Sequence, residues 1–213
     1  MTGQSQEKEM PKQTFTNLTE EKRKKIIKAA LDEFASKGFR ESSINTIVQN
    51  AMIPKGSFYQ YFEDKKDLFK HICSLAAAEK FKYLEKLMPE AGESDFFDLL
   101  REMIAQGIRF GKDHPEYYCI SNELLNDRAL MSEIFGEQTS RTDDFFQHFI
   151  NAGIKRGDIR NDLDVTFISR MITSLGLGLG EYFIEKHGFE NIERIDEYTD
   201  NFILILKNGI AGR

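Results

Sequence analysis

Apolar residues in this chain recur three and four positions apart and almost nowhere alternate one by one, a spacing that commits the backbone to helix nearly throughout. The first run shows the pattern: Ile26, Ile27, Ala30, Leu31, Phe34 and Ala35 form one stripe between about Thr19 and Lys37. Glu20 and Glu21 suit the positive end of that helix, and Gly38 supplies its stop. A short helix follows over about Ile44 to Ala51, with Ser43 as N-cap, then a third from Pro54 to near Tyr61. Asp64 and Asp67 make a capping-box-like start to a long helix ending before Pro89. Five more helices are expected at about 95–112, 115–126, 128–155, 164–187 and 193–208. The breaks fall at Asp113-His114-Pro115, at Arg156-Gly157-Asp158, at an Asp162 or Asp164 cap, and at Gly188. The expectation is an all-α protein of about nine helices. No repeat or low-complexity tract interrupts it.

The stretch "IPKGSFYQYFEDKKDL", residues 53–68, is the most informative. On a wheel of roughly 100° per residue, Phe58 and Phe62 share a core side, with Gly56, Ser57 and Gln60 opposite. Tyr59 flanks the polar face, Tyr61 takes the other rim and Lys55 lies in the first turn. Such a helix is roughly 12 Å long, about the width of the major groove of B-DNA. Gly56 would let backbone approach a duplex closely, and inside a helix it costs about 1 kcal/mol against alanine, so it needs a reason. Ser57, Tyr59 and Tyr61 offer hydroxyls to phosphates, and Lys55 and Lys65 neutralise them. Gln60 and Lys55 can pair with base edges. Two short helices joined by a tight turn, the second carrying this face, describe a helix-turn-helix. Periodicity by itself equally allows a solvated surface helix.

Net charge is −6 over 213 residues, which at first argues against nucleic acid. Its distribution argues otherwise: residues 1–70 carry 13 Lys and Arg against 10 Asp and Glu, leaving 16 against 25 for residues 71–213. The polar N-terminus has no secretory apolar stretch and no run is long enough to span a membrane, so a cytoplasmic protein is expected, with residues 1–18 a flexible arm. Cys73 and Cys119 lack metal-ligand spacing, and His71, His114, His148 and His187 are scattered. No nucleophile elbow, phosphate loop or dinucleotide fingerprint appears. Neither a metal, a cofactor nor an enzyme activity is expected.

Across residues 22–72 the elements "IIKAALDEFASKGF", "SSINTIV" and "KGSFYQYFEDKKDL" resemble, in order and spacing, the N-terminal domain of the tetracycline-repressor (TetR) family of bacterial transcriptional regulators. The resemblance implies a DNA-binding domain over 19–70 and a helical ligand-binding and dimerisation domain over 71–213. It further implies a homodimer that reads adjacent major grooves of a palindromic operator and is controlled by a small molecule. Carried over by position, Lys55, Gly56, Ser57 and Tyr59 fall where the family contacts bases and nearby phosphates. Ser43, Tyr61 and Lys65 fall at phosphate positions, and Asn45 and Thr46 are further candidates. Two departures stand out. The family's turn glycine is Met52 here, which must accept a left-handed conformation or change the turn, and its capping glutamate is Thr46.

Beyond the head, aromatic and sulfur side chains at helical spacing make either plain core or an apolar pocket. Candidate walls for a small lipophilic or aromatic effector are Leu84, Met88, Leu100, Met103, Ile104, Phe110, Tyr118, Phe149, Met171 and Leu175. "FILIL", residues 202–206, is apolar on every side and so needs two covers, one of them a partner subunit. Gly176, Gly178 and Gly180 in the preceding helix would admit a second helix, or mark a kink or space beside the pocket. The resemblance places the dimer on these last two helices. The function expected is a ligand-responsive regulator, a repressor in most of the family. A helical small-molecule-binding or enzymatic protein with an unused head, or a helical scaffold, remains the alternative.

Overall fold

The computed structural model describes residues 11–85, 87, 94–135 and 140–210, with no account of the side chains at 140–146 and 210. Every regular element among them is helical. Contacts divide the chain into two units, Met1–Ala77 with Glu116–Ile134, and Ala78–Pro115 with Phe135–Arg213. The passage between them therefore falls within a helix and beyond residue 70, and Glu116–Ile134 groups with the N-terminal head.

In the first unit the order is α1 (Gln13–Thr16), α2 (Glu20–Glu41), α3 (Ile44–Asn50), α4 (Lys55–Tyr61), the start of α5 (Lys65–Glu85), most of α7 (Pro115–Asn126) and α8 (Arg128–Phe135). The stripe of α2 does what its spacing predicts: Ile26, Ala30 and Phe34 are buried. Ile47 and Val48 of α3, which packs on α2, Phe58 of α4 and Leu68, Phe69 and Ile72 of α5 are buried in the same unit. Phe69 ties it together, with its ring 4.9 Å from Phe34 and 4.8 Å from Phe39. Each buried phenylalanine contributes about 1.5–3 kcal/mol. The capping box of α5 forms as expected: Asp64 Oδ1 accepts the Asp67 N–H at 2.8 Å, and Asp67 Oδ2 accepts the Glu63 N–H at 2.8 Å.

Two backbone features set the head's geometry. Gly38 bends α2 with φ 71° and ψ 172°, a region that only glycine enters without strain. A β-carbon there would also sit 2.7 Å from Glu123 Oε1, whose carboxylate receives the Phe39 N–H at 2.9 Å. Met52 has φ 54°, so the left-handed option is the one taken. The turn is otherwise unaltered: Ile53 N–H reaches Val48 O at 3.0 Å and Met52 N–H reaches Gln49 O at 3.1 Å, the paired bonds of a Schellman C-cap. Met52 is 85% exposed, so its side chain contributes little packing. Left-handed strain of about 1–2 kcal/mol exceeds the entropy glycine would lose on folding, about 0.5–1 kcal/mol. Met52→Gly is expected to raise Tm by about 2 °C in a thermal melt; an unchanged or lower Tm contradicts the strain.

The second unit holds the rest of α5, α6 (Phe96–Asp113), α9 (Ser140–Arg156), α10 (Val165–His187), a 3₁₀ turn (Phe189–Arg194) and α11 (Ile195–Ile210). Residues 128–155, expected as one helix, carry α8 and α9, with 136–139 outside the described residues. Asp164, of the two candidates, caps α10 by accepting the Phe167 N–H at 2.7 Å. Phe96, Leu100, Phe149, Ile150, Ile168, Ile172, Phe202 and Ile203 form the main core, and Ile108, Phe183 and Ile195 a smaller one. No helix among the described residues is long and apolar enough to cross a membrane.

Candidate nucleic-acid interface

The polar face of α4 forms because two phenylalanines hold the helix down from the other side. Phe58 and Phe62 are fully buried with ring centroids 5.8 Å apart, while Lys55, Gly56, Tyr59 and Gln60 are exposed and Ser57 is half-buried. Pro54 stands one residue earlier than expected, as N-cap, and its carbonyl accepts the Ser57 N–H at 2.9 Å. Tyr59 packs edge-on against Phe58 at 5.2 Å, which directs its hydroxyl end outward from a rigid base. Among the described residues Lys55 has no ion-pair partner, so its charge is available to a phosphate or a guanine. Gly56 is more telling: a β-carbon there would meet nothing within 4 Å. Packing within the chain gives no reason for this glycine, and the surface over it is open.

Tyr61 is a correction to the sequence reading. It is 5% exposed, with its ring 6.0 Å from Phe15, so it belongs to the core and not to a rim. The wheel misplaced it because the wheel lacks the N-terminal segment that covers it. Lys65 is anchored: its Nζ donates to Arg40 O at 3.0 Å and Ser42 O at 2.9 Å and lies over the Phe39 ring, leaving one N–H for a phosphate.

On α3, Asn45 is exposed and Ser43 and Thr46 are half-buried. Ser43 Oγ caps by accepting the Asn45 N–H at 3.2 Å. The absent capping glutamate at Thr46 is replaced from α2: Glu33, buried, accepts the Ser43 N–H at 2.9 Å and pairs with Lys37 at 3.1 Å. A carboxylate set into the apolar stripe of α2, about one turn after Ala30 and next to Phe34, was the sign of this role in the sequence. Glu123 carries no such sign, since its partner lies 84 residues away. Further polar contacts join α2 to α7 and α8, Lys28 to Glu116 at 3.0 Å and Arg40 to Asp127 at 3.4 Å and Glu133 at 3.5 Å.

Burial holds His71 below its ordinary pKa, an effect only partly opposed by Asp67, and its ring packs against Phe15 at 5.5 Å and Phe62 at 6.0 Å. Burial likewise pushes the Cys73 thiol up to about 12, an unreactive group.

The ten pocket candidates separate. Leu100 and Phe149 are buried in the main core, with Met103 and Ile104 packed against it. Phe110 is buried beside Tyr83, at 5.6 Å, and His114, at 5.2 Å. Leu84 is half-buried, Tyr118 lies in the first unit, and Met88 lies outside the described residues. Met171 and Leu175 are the most exposed of the candidates whose burial is described. They are 43% and 45% exposed, as are Phe167 and Tyr182 of the same helix at 62% and 50%, whereas Ile168 and Ile172 are buried. On α11, Phe202, Ile203 and Leu206 face the core while Leu204 and Ile205 are exposed. Gly178 opens on the outer side of α10, with no atom within 4 Å of a β-carbon. Among the described residues no group of three or more His, Cys, Asp or Glu could hold a metal ion.

A family model of bacterial regulatory proteins, the tetR family, matches residues 26–72. The HTH-type transcriptional repressor NicS of Pseudomonas putida is 30% identical over 169 residues, covering 72% of this chain and 73% of NicS. A solved TetR family transcriptional regulator from Chloroflexus aurantiacus J-10-fl is 31% identical, with a TM-score of 0.75 over 96% of this chain and 100% of its own. The regulator FadR from Bacillus subtilis, solved in complex with stearoyl-CoA, shares the fold at a TM-score of 0.66, with 20% identity over 87% of this chain and 97% of FadR. Identity at the level of NicS and the Chloroflexus protein runs well past the helix-turn-helix into the helical body, and the chain therefore belongs to the TetR family as a DNA-binding transcriptional regulator.

Proposed function

We propose that two copies of this protein bind a palindromic operator in double-stranded DNA, each laying α4 in a major groove, and that a small lipophilic or aromatic effector releases them, relieving repression. The observation that carries the reading is the exposed face of Lys55, Gly56, Tyr59 and Gln60, flanked by Ser57 and backed by buried Phe58 and Phe62. Lys55 and Gln60 serve base edges, Gly56 lets the backbone approach, and Ser57, Tyr59, Ser43, Asn45, Thr46 and Lys65 serve phosphates or neighbouring bases. The outer stripes of α10 and α11 supply the dimer face: six large apolar side chains exposed on two helices favour a cover, and a second copy provides a matching one.

Release follows from a shift between two states of the dimer, by an amount set by the effector's differential affinity for them. α5 is the lever, because the recognition helix rests on its first turns and its last turns belong to the second unit. The bonds of Glu123, Arg40 and Lys28 tie α7 and α8 to α2 within the first unit. An effector of lipophilic character is supported by the aromatic and sulfur-rich second unit and by the stearoyl-CoA bound in a protein of the same fold.

Duplex binding tests this. The observed association constant is expected to fall steeply with salt, with a slope of about −0.9 per phosphate neutralised, and a mass spectrum of the denatured protein's extract is expected to show a lipophilic small molecule that weakens binding when returned. A salt-independent signal contradicts the DNA reading, and an extract without effect on affinity contradicts the lipophilic effector.

A further inference from the structure

A helix as short as α4 has little stability of its own, and its last four carbonyls have no donors within the helix. Phe58 O receives the Phe62 N–H at 2.9 Å. The next three consecutive carbonyls are all satisfied from outside, by residues 12–14. Lys12 Nζ donates to Tyr59 O at 3.0 Å, the Thr14 hydroxyl donates to Gln60 O, and the Lys12 backbone N–H donates to Tyr61 O at 3.1 Å. The sequence reading of residues 1–18 as a flexible arm thus does not hold for residues 11–18. Phe15 is buried with its ring 4.8 Å from Phe62, and Arg23 NH1 donates to Thr16 O at 2.6 Å, so the segment is also fastened directly after the clamp.

We propose that Lys12 and Thr14 are positioning residues for the recognition helix, fixing the orientation in which Tyr59 and Gln60 meet DNA. Two of the three clamped carbonyls belong to those two residues, so loosening the last turn moves the side chains on the reading face. The Lys12 ammonium also offsets the partial negative charge at this helix end. The donors of the clamp, Lys12 and Thr14, lie outside residues 26–72, the stretch that the family model matches.

The proposal rests on the reading of α4 as the DNA-binding helix, and its test separates the two. Full-length Lys12→Ala/Thr14→Val is compared with wild type by amide hydrogen exchange and by affinity for the duplex that wild type selects from a random pool. Expected are about tenfold faster exchange of the Phe62 amide with α2 amides unchanged, and about tenfold weaker duplex binding with the salt slope unchanged. Lys12→Arg, paired with native Thr14, is expected to retain near wild-type affinity. Unchanged exchange overturns the clamp, and faster exchange with unchanged affinity overturns its role in recognition. A salt slope reduced by about 0.9 per protomer would make Lys12 a phosphate contact and overturn positioning. Should wild type select no duplex, the DNA reading fails, and the exchange readout decides the clamp independently.

Discussion

Lys55→Ala/Tyr59→Ala is expected to weaken operator binding about a thousandfold while shifting Tm by no more than about 2 °C. Both side chains are exposed on α4, and only the edge contact of Tyr59 with Phe58 contributes to the fold. A symmetric dimer loses four contacts to the duplex at once. At about 1 kcal/mol each, the low end for groups that touch bases, the loss is about 4 kcal/mol, or roughly three decades of affinity. The salt slope of the residual binding should stay close to that of wild type, since Lys55 is placed on a base edge and not on a phosphate. Fluorescence anisotropy of a labelled duplex at several salt concentrations reads both quantities. Near wild-type affinity would remove α4 from the interface.

Leu204→Glu/Ile205→Glu is expected to convert the dimer to monomer at micromolar concentration. These side chains are 59% and 70% exposed on α11, and Phe167, Met171 and Leu175 are exposed on α10, which packs against α11. In a symmetric interface the variant places four carboxylates where apolar groups would pack, each costing several kcal/mol unless paired. A rise of more than a thousandfold in the dimer dissociation constant follows, seen by sedimentation. Duplex affinity falls with it, since a monomer reaches one half-site. Because the substituted positions face solvent in the single chain, the helical content should not change. A variant that still sediments as a dimer would move the interface elsewhere.

The helices were legible because helix burial has a period, and α2, α3, α4, α6, α7, α10 and α11 lie close to where apolar spacing and caps put them. The reading face was legible for a different reason: Phe58 and Phe62 fix which side of a short helix is buried, and the resemblance then assigns the other side a role. What failed was long-range. Lys12 and Thr14 bond to residues 47 and 46 positions away, and Glu123 to one 84 away, distances at which no local pattern operates. Phe15, an isolated aromatic in a polar stretch, was the visible trace of the docked segment. The exposure of Met171 and Leu175 was not legible because α10 is apolar on most of its circumference, so hydrophobicity identified the helix without telling its buried from its exposed positions. Thr46 shows the reverse case. The missing glutamate was read correctly as a gap, and Glu33 fills it from the helix before.

The most direct test of the central claim, that the α4 face reads an operator as part of a dimer, is selection of sequences from a random duplex pool by the wild-type protein and by Lys55→Ala/Tyr59→Ala in parallel. The account predicts that wild type enriches a palindrome whose half-sites are about one helical turn apart, and that the variant, folded and dimeric, enriches nothing. The same palindrome recovered by both proteins would contradict it.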